Sequence, residues 1–411
     1  MGNEAAGNSS VLDTLARDFS VALWGFSAID RYLDRDVLPF VFVETTAGLS
    51  DLARIFEDLR YPGFYPADAA VDREGRAYYF RCLDTEDASP PDRRRPGFEL
   101  LDFYQDWKTR RFCDPQGIYP LLRRIWKNSP LYRREEDPAP WWEALNPGTS
   151  RYRALTGGAL ILARYGSANE DSSRLIKEAA AFFNNFLPGG PPPCPEEQRL
   201  LLTGILTSPR PGLGLELLKA AGFLEELWPE LAALDDVDHS KEFHPEGNVW
   251  KHTLETFRYR KLARNGIRPQ AEAYDLRLSL GLLLHDVGKT QAESSGNHRF
   301  AGHAELGARQ ARRFLERLGF GAPLAADIFY LVRNHMLPAA LPRLPLTRTE
   351  EIMASPLFPT LMELYRCDES SSFKGLGGYY ESSAAYQSYL RHRRNPYRSA
   401  DGKKTRTGAI R

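Results

Sequence analysis

The 411-residue sequence predicts an α+β protein of several domains, a small α/β front followed by a helical body. Three observations predict it. Val41-Phe-Val-Glu-Thr-Thr46 is a short β-branched and aromatic run, which reads as a strand. Pro188-Gly-Gly-Pro-Pro-Pro-Cys-Pro195 is a strong structure breaker and marks a boundary. From Glu196 to about Leu390 apolar residues recur at helical spacing.

In chain order, the front is residues 1–120, with the strand at Val41–Thr46 and a short amphipathic helix over Leu52–Leu59. Residues 84–96, charged and Pro-rich, read as an exposed loop. Residues 121–188 form a helical or irregular connector. Residues 189–238 follow as a helical neck, with Leu200, Leu201, Ile205 and Leu206 on one helix face and Leu215–Leu218 opening the next. Residues 239–390 form the main helical domain, with loops near Asn265–Pro269, Ser294–Asn297 and Pro338–Thr347. Residues 391–411 form a basic, disordered tail, with an RNA-contacting arm as the sharper alternative.

Composition excludes several classes. Hydrophobic residues make up 42% and charged residues 26%, which argues against a disordered chain or a fibre. Lys+Arg and Asp+Glu balance at 54 each, so the chain is no uniformly basic nucleic-acid coat, although a local basic patch remains open. Cys82, Cys113, Cys194 and Cys367 are far apart and form no CxxC, so neither a zinc ribbon nor a disulfide framework is expected. The N-terminus lacks the apolar core of a secretory signal, and no apolar run is long enough to span a membrane. A cytoplasmic protein without a membrane partner is expected.

The chemistry lies in a row of histidines and aspartates. His252, His285, His303 and His335 all stand in helical settings, joined by Asp286 and Asp368. Leu276–Leu284 is apolar nearly all round, so that helix is buried and delivers His285-Asp286 at its C-terminal end. Asp368 follows Leu361, Leu364 and Tyr365 on an apolar face; His335 likewise follows Ile328, Leu331 and Val332. A single such histidine is more often a hydrogen-bonded core residue. The set is different, because each buried carboxylate needs a partner. One divalent cation satisfies several of these groups at once. Imidazole with carboxylate suits Mn, Fe, Co, Ni or Zn better than Ca, with Mg also admissible. His252, His285, Asp286 and Asp368 would hold one ion; His303 and His335 would complete a second, with Asp286 as the bridge. His239, His244, His298 and His392 lack this context and read as surface or loop residues.

The motifs HPEGNVWKHTL, LLLHDVGK, GHAELGA and LVRNHM, with the later Asp368, resemble the HD-domain metal phosphohydrolases. The version is similar to the HD module of bacterial tRNA nucleotidyltransferases and poly(A) polymerases. The resemblance implies that His252, His285, Asp286 and Asp368 are core ligands, that His303 and His335 belong to the longer motif set, and that Lys289 matches the family's lysine. It implies an HD catalytic domain in which Asp286 and Lys289 serve catalysis. A metal lowers the pKa of bound water and draws charge from phosphoryl oxygens. Lys289 would neutralise phosphate as a point charge, and Arg299 and Arg333 would orient it.

Pro195–Leu231 looks like the helical neck of the same nucleotidyltransferases, which makes the front a nucleotidyltransferase-like head. That head departs from its pattern. The turn Leu23-Trp-Gly-Phe-Ser-Ala-Ile-Asp30 keeps Gly25 but has Phe26 and Ile29 where the family has a second glycine and an arginine. The Asp-x-Asp strand reads Val41-Phe42-Val43, so Val41 and Val43 occupy the carboxylate positions. Valines hold no magnesium, and Glu44 points the other way. A degenerate head without nucleotide-adding activity is expected.

The expected function is therefore a metal-dependent phosphohydrolase acting on nucleotide or RNA-end phosphate esters such as 2′,3′-cyclic phosphodiesters, using one or two ions, with a nucleotide or RNA substrate and tRNA as a partner. Two alternatives stand beside it: an active CCA- or poly(A)-adding tRNA nucleotidyltransferase with an accessory HD domain, and a non-catalytic RNA-binding scaffold.

Overall fold

The computed structural model describes residues 10–394 except 36–37, 65–66, 74, 84–102, 116, 118–149, 167–171, 239–246, 262–273, 293, 296–298 and 373–374. The expected loop at 84–96, the histidines His239, His244 and His298, and the tail beyond 394 lie outside the described residues. So does the loop near Asn265–Pro269. The architecture is α+β, in two compact units that divide after Phe223.

The first unit opens with α1 (Val11–Leu15), β1 (Val21–Trp24), α2 (Phe26–Tyr32), β2 (Phe40–Thr45) and α3 (Leu49–Ile55). Then come β3 (Ala69–Arg73), β4 (Arg76–Cys82), β5 (Tyr104–Asp106) and β6 (Phe112–Cys113). The six strands form one sheet in the order β3-β4-β2-β1-β5-β6, with β2 and β4 parallel. All six residues of β2 are buried, as expected for a strand paired on both edges and covered on both faces. Gly25 between β1 and α2 has φ +61°, a conformation open to glycine at little steric cost. The helix expected at Leu52–Leu59 starts earlier, because Asp51 reaches back to the Gly48 amide at 3.1 Å and caps α3 there.

Among the described residues this unit also holds α4 (Arg151–Tyr165), α5 (Ser172–Phe186), α6 (Pro195–Leu206) and α7 (Pro211–Ala220). Pro195 and Pro211 start helices rather than merely separating them, since a proline at the first helical position loses no intrahelical hydrogen bond. One buried ion pair ties α2 to α4. Asp30 is fully buried, and its Oδ1 accepts from Arg164 Nε and Tyr165 OH. Burial pushes the Asp30 carboxyl above its usual range although Arg164 opposes the shift.

The second unit is helical, with α8 (Phe223–Leu227) at the division between units. It holds α9 (Pro229–Ala232), α10 (Val249–Thr256), α11 (Leu276–Leu284), α12 (His303–Arg317), α13 (Ala322–Asn334), α14 (Leu337–Ala340), α15 (Leu346–Met353), α16 (Phe358–Ser371) and α17 (Gly377–Arg394). Asp275 caps α11 by accepting from the Leu278 amide at 2.9 Å, and every residue from Leu278 to Leu284 is buried. A hairpin of β7 (Ser294–Ser295) and β8 (Arg299–Phe300) precedes α12. Two expectations shift. The loop read over Pro338–Thr347 contains α14 and a 3-10 turn at Leu341–Arg343, because Pro338 and Pro342 sit in first turns, which tolerate proline. The last helix continues to Arg394, four residues into the supposed tail.

Candidate metal centre and head cavity

Five helices of the second unit bring the six expected ligands together. His252 comes from the middle of α10, and His285-Asp286 from the end of α11. His303 opens α12, His335 closes α13, and Asp368 lies late on α16. His252 Nε2 lies 2.9 Å from Asp368 Oδ1, and His285 Nε2 lies 3.3 Å from Asp286 Oδ2 and 3.9 Å from Asp368 Oδ1. On the other carboxylate oxygen, Asp286 Oδ1 is 3.6 Å from His303 Nε2 and 3.7 Å from His335 Nε2. The ligand atoms of His252, His285 and Asp286 fall within 4.8 Å of one another, as do those of Asp286, His303 and His335. Ligands ~2.1 Å from a shared ion stand ~3–4 Å apart, so these spacings fit a coordination sphere.

The orientation of the rings carries the argument further. The Nδ1 atoms of His285, His303 and His335 lie 2.8, 2.7 and 2.7 Å from the carbonyls of Leu282, Phe300 and Val332. Each carbonyl accepts only, so each Nδ1 carries the proton and each Nε2 presents a lone pair to the centre. His303 Nε2 and His335 Nε2 face each other at 3.1 Å, two acceptors that repel unless a cation or proton lies between them. His285 Nε2 is buried and has no hydrogen-bond partner among the described residues. Divalent cations fit this donor set.

Charge is arranged to match. Burial pushes His335 down to about 4, which keeps it neutral at ordinary pH. For His285 burial works against the charged form, but Asp286 and Asp368 outweigh it and lift the group. Burial also opposes ionisation of Asp368, yet His252 and His285 hold its carboxyl far below the usual range.

The local backbone explains the glycines of the motifs. A Cβ on Gly288 would collide with the His303 carbonyl oxygen and the Gly307 backbone. This contact seats the 3-10 turn Val287–Thr290 directly on α12, so the two halves of the centre meet. Lys289 Nζ donates to Asp286 Oδ2 at 2.6 Å, so its charge is engaged by the bridging carboxylate. Arg333 is exposed on α13, and Arg299 is placed only by its backbone in β8. Ser371, whose Oγ lies 3.4 Å from His252 Nδ1, was not expected from the sequence; its place one turn after Asp368 is the signal that could have shown it.

The head tells a different story. Val43 pairs with Phe80 of β4, which stacks on Phe56 at the end of α3. Val41 and Val43 therefore face the α3 side of the sheet. Phe40 and Phe42 face the opposite way, where they line a cavity of about 550 Å³ with Trp24, Gly25 and Phe64. Glu44 shares their face and lies 3.6 Å from Arg81 Nη1. The β2 residues that meet the cavity are thus two phenylalanines, one residue out of step with the valines singled out in the sequence.

The HD domain family model matches residues 249–356. The chain is a relative of bacterial CCA-adding and tRNA nucleotidyltransferase proteins. It is 39% identical over 135 residues to a multifunctional CCA protein of Halorhodospira halophila, covering 32% of this chain and 29% of the relative. It is 34% identical over 196 residues to the CC-adding tRNA nucleotidyltransferase of Thermus thermophilus, covering 44% and 42%. It is 28% identical over 272 residues to the A-adding tRNA nucleotidyltransferase of Deinococcus radiodurans, covering 64% and 56%. The chain spans 29–56% of the length of these curated relatives.

These relatives overturn the expectation of a phosphohydrolase. Two of the three are named tRNA nucleotidyltransferases and the third a multifunctional CCA protein, so the enzyme class they support is a transferase. Among the described residues no helix is long and apolar enough to cross a membrane.

Proposed function

We propose that this chain works at the tRNA 3′ end as a tRNA nucleotidyltransferase of the CCA- or A-adding type, with the HD domain as an accessory metal-binding module. The observation that carries this is the agreement among the relatives' names, together with a head that keeps the β1–Gly25–α2–β2 order ahead of the neck-like helices α6 and α7. A cytoplasmic site of action follows from a tRNA substrate.

In the accessory module, His252, His285, Asp286 and Asp368 would hold one divalent ion, and His303 and His335 with Asp286 would hold a second. Mn, Fe, Co, Ni or Zn suits this nitrogen-rich set best. A bound ion supplies positive charge and Lewis acidity there. Asp286 joins the two positions, and Lys289 fixes Asp286 in place.

Phe40 and Phe42 favour a second reading: a tRNA-binding protein that holds the 3′ end without extending it. One assay separates the two. Purified protein is given tRNA lacking its terminal residues with labelled CTP or ATP, and tRNA retention on a filter is measured alongside at several salt concentrations. Incorporation above a no-protein blank supports the transferase. Salt-dependent retention without incorporation selects the tRNA-binding protein. Absence of both overturns the two together.

A further inference from the structure

The cavity beside β2 has a chemistry that neither the HD centre nor a tRNA surface accounts for. Its walls are Trp24, Phe26, Phe40, Phe42, Phe64 and Tyr152, closed from the other side by Leu160, Leu200 and Leu201. Gly204 makes room for this wall, since a Cβ there would meet the Leu160 side chain at 2.6 Å and Phe40 at 3.2 Å. The charged lining consists of Arg153 and Glu197. Burial lifts the Glu197 carboxyl above its usual range, and two partners oppose the shift: the Cys194 amide, which donates to Glu197 Oε2 at 2.8 Å, and the nearby Arg153. Opposite charges thus offset one another, and aromatic and aliphatic side chains make up most of the remaining wall.

We propose that this cavity binds a neutral, planar aromatic ligand and excludes a metal–nucleoside triphosphate; the proposal rests on the second reading above, tRNA binding without addition. Three observations carry it. The volume of about 550 Å³ lies within the range of small-molecule sites. Aromatic walls reward a flat apolar body by stacking, at about 1 kcal/mol per pair beyond burial. A triphosphate with its metal would meet two phenyl rings on β2 instead of carboxylates, and its charge would lose water without gaining partners. Arg153, Glu197, Thr156 and Ser150 supply hydrogen-bonding groups to the lining. Aromatic walls with a few polar groups suit a heteroaromatic ring that carries polar edge atoms, such as a nucleobase carrying no phosphate.

The test uses the full chain and Nile red, a neutral planar fluorophore. Saturable one-to-one binding with blue-shifted emission is expected. Leu201→Trp, which fills the cavity from its wall, weakens that binding by about tenfold or more. Adenosine displaces the dye, and Mg-ATP at millimolar concentration does not. Displacement by adenosine alone points to a free nucleoside as the natural occupant; displacement by intact tRNA as well points to its terminal base. Unchanged binding by Leu201→Trp, or displacement by Mg-ATP at micromolar concentration, overturns the proposal. The Mg-ATP competition is run on the unaltered protein, so it decides even if the variant fails to fold. tRNA retention is measured on the same samples. Its loss counts against the tRNA reading and leaves the dye titration to judge the cavity.

Discussion

The HD centre and the head cavity are both enclosed sites built where several elements converge, yet they handle polarity in opposite ways. The centre gathers four imidazoles and two carboxylates, and three of its rings are pinned by a backbone carbonyl one turn back. The cavity has two phenylalanines on the strand face where charge would be useful. The difference shows what a buried polar cluster requires. Each group must be oriented by a second partner and offset by a counter-charge, and without that support apolar side chains are the lower-energy occupants.

The largest effect expected bears on the centre. Asp286→Ala removes the one residue common to both ligand groups, so metal content measured by plasma emission should fall below about a tenth of the unaltered protein. Retention of full metal content would mean that the two groups do not depend on a shared carboxylate. The cavity should answer differently. Phe42→Ala is expected to cost about 3 kcal/mol in denaturant unfolding, the low end for a buried phenylalanine because a void already adjoins it. Metal content should not change in that variant.

A comparable effect is expected from pH. The folded-state pKa of His335, about 4, lies below the free value, so the unfolded chain binds more protons from about pH 6.5 down to pH 4. Stability of the chelator-treated protein should therefore fall with pH through that window, by up to about 3 kcal/mol from this group. His335→Gln should flatten the slope. An unchanged slope would mean that His335 is already charged in the metal-free fold. The smallest effect belongs to Arg333→Ala. With its side chain exposed, it should change stability by less than about 0.5 kcal/mol and leave metal content intact.

The centre was legible because helical spacing is a local property. Asp368 and His335 each follow three apolar residues on one face, and His285-Asp286 ends an all-apolar helix, so inward aim can be read without knowing the neighbours. The cavity was not legible, for an equally physical reason. In Phe40-Val-Phe-Val43 every residue is apolar, so alternation gives no sign of which pair faces α3 and which the cavity, and a one-residue slip exchanges the faces. Only the pairing of Val43 with Phe80, and of Phe80 with Phe56, decides it. The Asp30–Arg164–Tyr165 cluster was hidden for another reason, since Asp30 lies more than 130 residues from the adjacent Arg164 and Tyr165.

Sequence alone determined the α+β class and singled out six side chains, with the helices that carry them, that the fold then brings together, because periodicity and residue chemistry act over a few turns of chain. Tertiary structure decided which nitrogen of each imidazole faces inward, which oxygen of Asp286 serves which histidines, and which face of β2 meets the cavity. Those outcomes depend on contacts between segments distant in the chain, where a shift of one residue or one ring nitrogen reverses the chemistry.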